Sequence, residues 1–387
     1  VYIQTQGILY TGITMVIIKY LSSHKLKYIA STIALLTAGC DASFTDSGQS
    51  LGSYDSRYVA LGDIDGDADL DIVVANLNQG NRVYLNDGNG NFSDSGLSLG
   101  ENSSQSVALG DVDADGDLDM AIANLNQANR VYLNDSSGSF SDADLSLGEN
   151  NSYSVALGDR DNDTDLDMVV ANQAQASLLY INDGLGGFSD SGVVLGENDS
   201  RSVAMGDLNS DGFIDITIAN QGQPNRIYLN DGFGNFFESD QLLGEYDSNA
   251  VELGDVDNDG DLDIVTANEN QGNRVYKNNA FGRFEDSGQS LGANDSRDVA
   301  LGDIDNDGDL DMVVANQNQG NRIYINDGSG NFKDDDQSLG TYSSQSIALG
   351  DLKGDGTLSI VVANSNQGNR VYHYEKEEFD FYSNDQE

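Results

Sequence analysis

Asp111, Asp113, Asp115 and Asp119 stand at positions 1, 3, 5 and 9 of a nine-residue segment with Gly116 at position 6. Carboxylates at this spacing converge on one hard, oxygen-preferring cation, for which position 7 adds the backbone carbonyl of Asp117 and glycine permits the sharp turn. Calcium is the cation such a set suits. An EF-hand would place glutamate at position 12 between two helices, whereas position 12 here is Ile122 in a β-forming run, so the loop is expected to join β-strands.

The segment recurs seven times, starting at Asp63, Asp111, Asp159, Asp207, Asp255, Asp303 and Asp351. Copies two, five and six are complete, the last two with Asp255, Asp257, Asp259, Asp261 and Asp263 around Gly260, and Asp303, Asp305, Asp307, Asp309 and Asp311 around Gly308. Copy four has Asp207, Asp211 and Asp215 with Asn209 at position 3, a neutral and weaker ligand. Copies one (Asp63, Asp65, Asp67, Asp69, Asp71) and three (Asp159, Asp161, Asp163, Asp165, Asp167) keep every aspartate. They place Ala68 and Thr164 where glycine is wanted, and a β-branched residue at positive φ is strained. Copy seven has Lys353 and Ser359 at ligand positions, and its ammonium can replace the ion. Asp-Gly loops also form as plain turns, but turns need one or two such residues, whereas four clustered carboxylates without a cation repel one another. The expectation is about four to six calcium ions per chain, acting structurally, since each site at tenfold saturation adds about 1.4 kcal/mol.

The interval between copies is 48 residues throughout. A fixed period of that size means one supersecondary unit per repeat, stacked on its neighbours. In the first copy, residues 58–61 read as a strand, 62–71 as a loop and 72–75 as an all-apolar strand buried on both faces. A turn follows at 76–81, then residues 82–85 alternate with Val83 inward. The turn Asn-Asp-Gly-Asn-Gly at 86–90 leads to a fourth strand beginning at Phe92. Four short antiparallel strands per repeat and seven repeats predict an all-β, seven-bladed propeller. Residues 43–52 match 283–292 yet stand alone before the first full copy, so an orphan outer strand is available to complete the last blade and close the ring. Phe379 in the last repeat offers a competing outer strand, and the choice stays open.

Residues 41–387 are read as the propeller, residues 15–40 as a signal peptide, and residues 1–14, ahead of Met15, as upstream readthrough. Lys19, Lys25 and Lys27 precede the apolar stretch 28–36, and Leu-Leu-Thr-Ala-Gly-Cys ends at the sole cysteine. This segment resembles a bacterial lipoprotein signal, which implies lipidation of Cys40 and an extracytoplasmic location, anchored or secreted. No stretch after Cys40 approaches the roughly 20 apolar residues of a membrane-spanning helix. The formal charge of −47 makes binding of nucleic acid, or of an anionic membrane through charge, a poor fit. Membrane contact is expected only through the lipid.

The calcium loop after Val-Ala-Leu-Gly, together with Ala-Asn…Asn-Arg-Val-Tyr-Leu-Asn-Asp-Gly, resembles the FG-GAP or VCBS-type repeat proteins, propellers such as integrin α-subunit heads and some lectins. A literal Gly-Ala-Pro is absent, Pro224 being the one proline, and the lack of tryptophan argues against WD40 blades. The resemblance implies adhesion, glycan binding or scaffolding. The repeats leave no separate catalytic fold within residues 41–387, and the only histidine after Cys40 is His373, so the chain is expected not to be an enzyme; the alternatives to a binding or adhesion module are a scaffold of a cell-envelope complex and a polysaccharide-active enzyme. Its expected ligand is a glycan or a protein at the cell surface, and the chain is expected to be a monomer.

Two recurrent surfaces compete for that ligand. One is the turn with Gln79 and Arg82, whose amide and guanidinium beside Tyr84 suit sugar hydroxyls; repetition in nearly every blade favours a structural pairing with an aspartate of the next blade. The other is the loop before the first strand, with Arg57, Arg201 and Arg297, which varies between blades and so can discriminate ligands or be merely solvated.

Overall fold

A computed structural model describes residues 43–279 and 281–375. The signal-like segment, Cys40 and Phe379 lie outside the described residues. The described chain forms seven four-stranded antiparallel sheets. After β1 (Ser43–Asp46), the first sheet is β2 (Ser56–Gly62), β3 (Asp71–Asn76), β4 (Arg82–Asn86) and β5 (Phe92–Asp94), paired in that order. The same pattern repeats around the ring.

β3 has the sequence Asp-Ile-Val-Val-Ala-Asn, and all six residues are buried. Its alternate side chains serve two different cores. Val73 and Ala75 pack with Val107, Met120 and Ile122 of the second blade, whereas Ile72 and Val74 pack with Val361, Ala363 and Val371 of the seventh. A strand with apolar partners on both faces reads as a continuous apolar run, as parallel-sheet strands do for the same reason. β4 was expected to alternate with Val83 inward, but Val83 and Tyr84 are both buried. They face opposite neighbours, because the third strand is also sandwiched between blades.

Ring closure uses the N-terminal strand. β1 pairs antiparallel with Arg370–Glu375, Ser43 opposite Glu375 and Asp46 opposite Tyr372. Phe44 packs edge-on against Tyr374 at 5.7 Å, and its N–H donates to Gln337 Oε1 of the sixth blade at 3.1 Å. The equivalent amides Gln49, Gln241 and Gln289 each clamp the outer strand of the following blade.

A second set of inter-blade ties is polar. In six of the seven blades an asparagine at the end of the third strand donates to its own loop and to the loop of the preceding blade, and in the seventh that position is Tyr374. Asn134 Nδ2 reaches Leu118 O at 3.2 Å and Ile64 O at 2.8 Å, and Asn182, Asn230, Asn278 and Asn326 repeat the pattern. The first strand opens on a buried serine whose hydroxyl donates to the last asparagine of the second strand, as Ser56 does to Asn76 at 2.9 Å.

A chain beginning at Gly48 exposes the Arg370–Glu375 edge and is expected to unfold at lower temperature and to associate with rising concentration, read by calorimetry and light scattering. An unchanged midpoint would show that a segment beyond Glu375 supplies the outer strand instead.

Candidate metal loops and the central channel

Each loop is shaped first by its opening aspartate. Asp111 accepts from Asp115 N at 3.1 Å and Gly116 N at 3.0 Å, and Asp63, Asp159, Asp207, Asp255, Asp303 and Asp351 make the same pair of bonds. Position 6 is left-handed in all seven copies, so Ala68 (φ 74°) and Thr164 (φ 80°) do adopt the conformation that glycine takes elsewhere. Position 4 is left-handed too, filled by Gly66, Ala114, Asn162, Ser210, Asn258, Asn306 and Gly354. The sequence reading did not single out this second left-handed residue, although Asn and Gly there were the available signal.

Position 9 is buried at the head of the second strand. Asp71 accepts from Ile64 N at 2.9 Å and Asn86 N at 2.8 Å, tying loop, second strand and third strand together. Burial pushes Asp71, Asp119, Asp167, Asp215 and Asp263 up to about 6 and Asp311 to about 7, against the opposing pull of those backbone donors. In copy seven Ser359 replaces this aspartate and meets His373 Nδ1 at 2.9 Å.

Position 3 is where a metal ion fits. Asp65 Oδ1, Asp113 Oδ1, Asp161 Oδ1 and Asp257 Oδ1 are closed to water and meet no hydrogen-bond donor among the described residues. Ligand oxygens of Asp63, Asp65 and Asp71 lie within 4.8 Å of one another, as do those of Asp303, Asp305 and Asp311. Similar clusters form from Asp111, Asp113 and Asp115, from Asp159, Asp161 and Asp163, and from Asp255, Asp257 and Asp259. These carboxylates could bind metal ions, and a cation is what an unpartnered, water-free carboxylate oxygen lacks. Asn209 keeps copy four outside these all-carboxylate clusters. Position 7 side chains point elsewhere: Asp261 and Asp309 accept from Ser210 and Asn258 of the preceding loop at 2.9 and 2.7 Å.

The two ligand surfaces proposed from sequence separate in space. Gln79 Oε1 accepts from Asp55 N at 2.8 Å, and all seven blades repeat this bond, so the amide holds a turn. Arg82 donates to Leu97 O at 2.9 Å and covers the Tyr54 ring at 4.8 Å. Where its equivalents meet acids, as Arg226 meets Glu238 and Arg130 meets Asp142, the acid belongs to the outer strand of the same sheet, not to the next blade. Antiparallel pairing brings that outer strand alongside the third strand.

Arg57, Arg201 and Arg297 instead line the central channel, a cavity of 820 Å³ walled by the seven first strands. Each sits at a shift in register between first and second strands, a bulge that re-aims its side chain. Each is held by its own aspartate, Arg57 by Asp55 at 3.1 Å, Arg201 by Asp199 at 3.1 Å and Arg297 by Asp295 at 2.8 Å. Deeper in, one channel position is alanine in six blades and Glu252 in the fifth. Sequence reasoning passed over Glu252, although the break in a sixfold alanine pattern was visible. Burial, reinforced by nearby Asp298, pushes its carboxyl up to about 8.

The family model described as FG-GAP-like repeat matches residues 63–122, 111–170, 159–218, 207–266, 255–314 and 303–362. The chain belongs to the FG-GAP-like repeat family. Among solved structures it is similar to a chain in the crystal structure of BBS1N in complex with ARL6DN soaked with lead, at 10% identity and a TM-score of 0.59. The mercury-soaked form gives 12% and 0.61; in both, the match covers 87% of this chain and 98% of the other. At such identities the likeness is one of fold alone. No curated protein matches the chain.

Folded, Glu252 keeps a proton that the unfolded chain releases above its ordinary value of 4.5, so its contribution to stability falls as pH rises from there to about 8. Glu252→Ala installs the residue of the other six blades. It is expected to raise the denaturation midpoint more at pH 8.5 than at pH 5.5, by an increment of roughly a few kcal/mol. Equal gains at both pH values would show that the carboxyl is not held neutral.

Proposed function

We propose that this FG-GAP propeller is a calcium-stabilised binding module outside the cytoplasm, anchored through lipid at Cys40, with a macromolecular ligand at the cell surface. The observation that carries the calcium reading is the unpartnered, water-free oxygen at position 3, best seen in Asp65 and Asp113, inside a loop whose other carboxylates are within reach. When bound, calcium supplies the counter-charge these carboxylates lack. The protein's own part is to hold the loop through position 1, and to connect position 9 to the third strand through the Asn86 backbone and its equivalents.

That connection reaches the outer hairpin. Its tip residue is Asn89, Ser137 and Ser329 in the first, second and sixth blades, but Leu185, Phe233 and Phe281 in the third, fourth and fifth. These three are 76%, 80% and 78% exposed, large apolar side chains offered by consecutive blades of an otherwise acidic surface. Apolar tips on consecutive blades favour a protein ligand that spans blades, and the fold neighbours were crystallised with a protein partner. Exposed phenylalanines also stack on sugar rings, which supports a glycan as the second reading.

Calcium is expected to raise the unfolding midpoint substantially over EDTA, with about four to six ions bound by calorimetry. No shift and no binding would overturn the metal reading. For the ligand, pull-down from envelope extract and retention on immobilised polysaccharides, each with calcium and with EDTA, separate protein from glycan. Phe233→Ser together with Phe281→Ser is expected to cut retention about tenfold or more at unchanged midpoint. Undiminished retention would remove the hairpin tips from the interface.

A further inference from the structure

We propose that Arg160 and Lys277 are built-in counter-ions that stand in for calcium in the third and fifth blades. The metal requirement then falls on the loops opening at Asp63, Asp111, Asp207 and Asp303. This rests on the calcium reading above and sharpens it.

Position 2 of the loop is a buried apolar residue in six blades, namely Ile64, Val112, Leu208, Val256, Ile304 and Leu352. In the third blade it is Arg160, and its guanidinium turns into the loop. Nη2 stands 2.8 Å from Asp161 Oδ2 and Nε 3.1 Å from Asp167 Oδ2, so one side chain joins the carboxylates of positions 3 and 9. Nη1 donates to Gly234 O of the fourth blade at 3.2 Å. The guanidinium fork is planar, permanently charged and matched to carboxylates. It engages Asp161 Oδ2 and Asp167 Oδ2, two of the six to eight oxygens that a calcium ion would have to recruit, and leaves Asp161 Oδ1 unpartnered. The loop nevertheless keeps its shape, because Asp159 still accepts from Asp163 N and Thr164 N.

The fifth blade receives its cation from another strand, against one carboxylate. Where Leu85, Leu133, Ile181, Leu229 and Ile325 stand in the third strand of other blades, this one has Lys277. Its ammonium lies 3.3 Å from Asp257 Oδ2 and also donates to Ser329 O of the sixth blade. The fifth loop is complete by its aspartates, and only the fold brings this cation to it. In the seventh blade the cation is within the loop itself, Lys353, 3.9 Å from Asp355. Three loops thus carry a protein cation placed from three different positions. Among the described residues no salt bridge engages the loop carboxylates that begin at Asp63, Asp111, Asp207 and Asp303.

Native mass spectrometry and calorimetry of the full chain test this directly. Wild type is expected to take up one ion per loop at the four named positions. Arg160→Leu, the residue of the fourth and seventh blades, is expected to add one ion, and Lys277→Leu another. In EDTA each variant should unfold at a lower temperature than wild type, and calcium should restore it. Arg160→Lys keeps a cation at that position and should keep the wild-type count closer than leucine does. Unchanged ion counts in both leucine variants, with calcium bound by wild type, would overturn the proposal. A wild type that binds no calcium would instead sink the reading beneath it. In that case an Arg160→Leu midpoint in EDTA equal to wild type's would overturn the counter-ion role as well.

Discussion

Everything in this molecule depends on a strand that has no solvent side. β3 and its six equivalents present Ile, Val, Met, Ala or Thr on both faces, and each buried Ile, Val or Met stabilises by about 1.5–3 kcal/mol only while a neighbour covers it. A blade therefore cannot be stable alone, and a row of blades leaves two bare faces. Closing the ring removes both. β1 then caps the last sheet, so that Arg370–Glu375 is an interior strand and not an open edge.

The polar groups repeat the same logic at the loop end of the blades. Asp71 is buried beside apolar side chains because its carboxylate accepts backbone donors from two segments. Asn134 of the next blade then takes the Ile64 carbonyl that the same loop leaves free. Loop shape, blade contact and hairpin position are thus one hydrogen-bonded unit. A charge placed against one of these carboxylates, as Arg160 is against Asp161 and Asp167, therefore lies beside groups that tie two blades together.

Sevenfold repetition separates scaffold from specificity. Gln79 and the buried serines and asparagines recur because the same turn recurs, and their partners are backbone groups or each other. Departures from the repeat include Glu252 and Asp298 on the channel wall, Leu185, Phe233 and Phe281 at the hairpin tips, and Arg160 and Lys277 against the loops.

The sequence by itself determined the repeat, the strand order within it, the propeller and the candidate metal loops. Period, apolar run length and turn chemistry are local properties, and a 48-residue interval leaves few ways to bury two-faced strands. It also showed an orphan outer strand, but not whether that strand or Phe379 closes the ring among the residues available. Only the tertiary structure decided that Tyr84 is covered as fully as Val83, since the neighbour of a third strand lies in another repeat. It alone gathered Arg57, Arg201 and Arg297, 144 and 96 residues apart in sequence, around one channel. It alone brought Lys277 to Asp257 and Arg160 to Asp167. The aspartate count of a loop is written in one segment, but the charge that meets those aspartates arrives through space from a different strand or a neighbouring turn, and spacing along the chain does not record that.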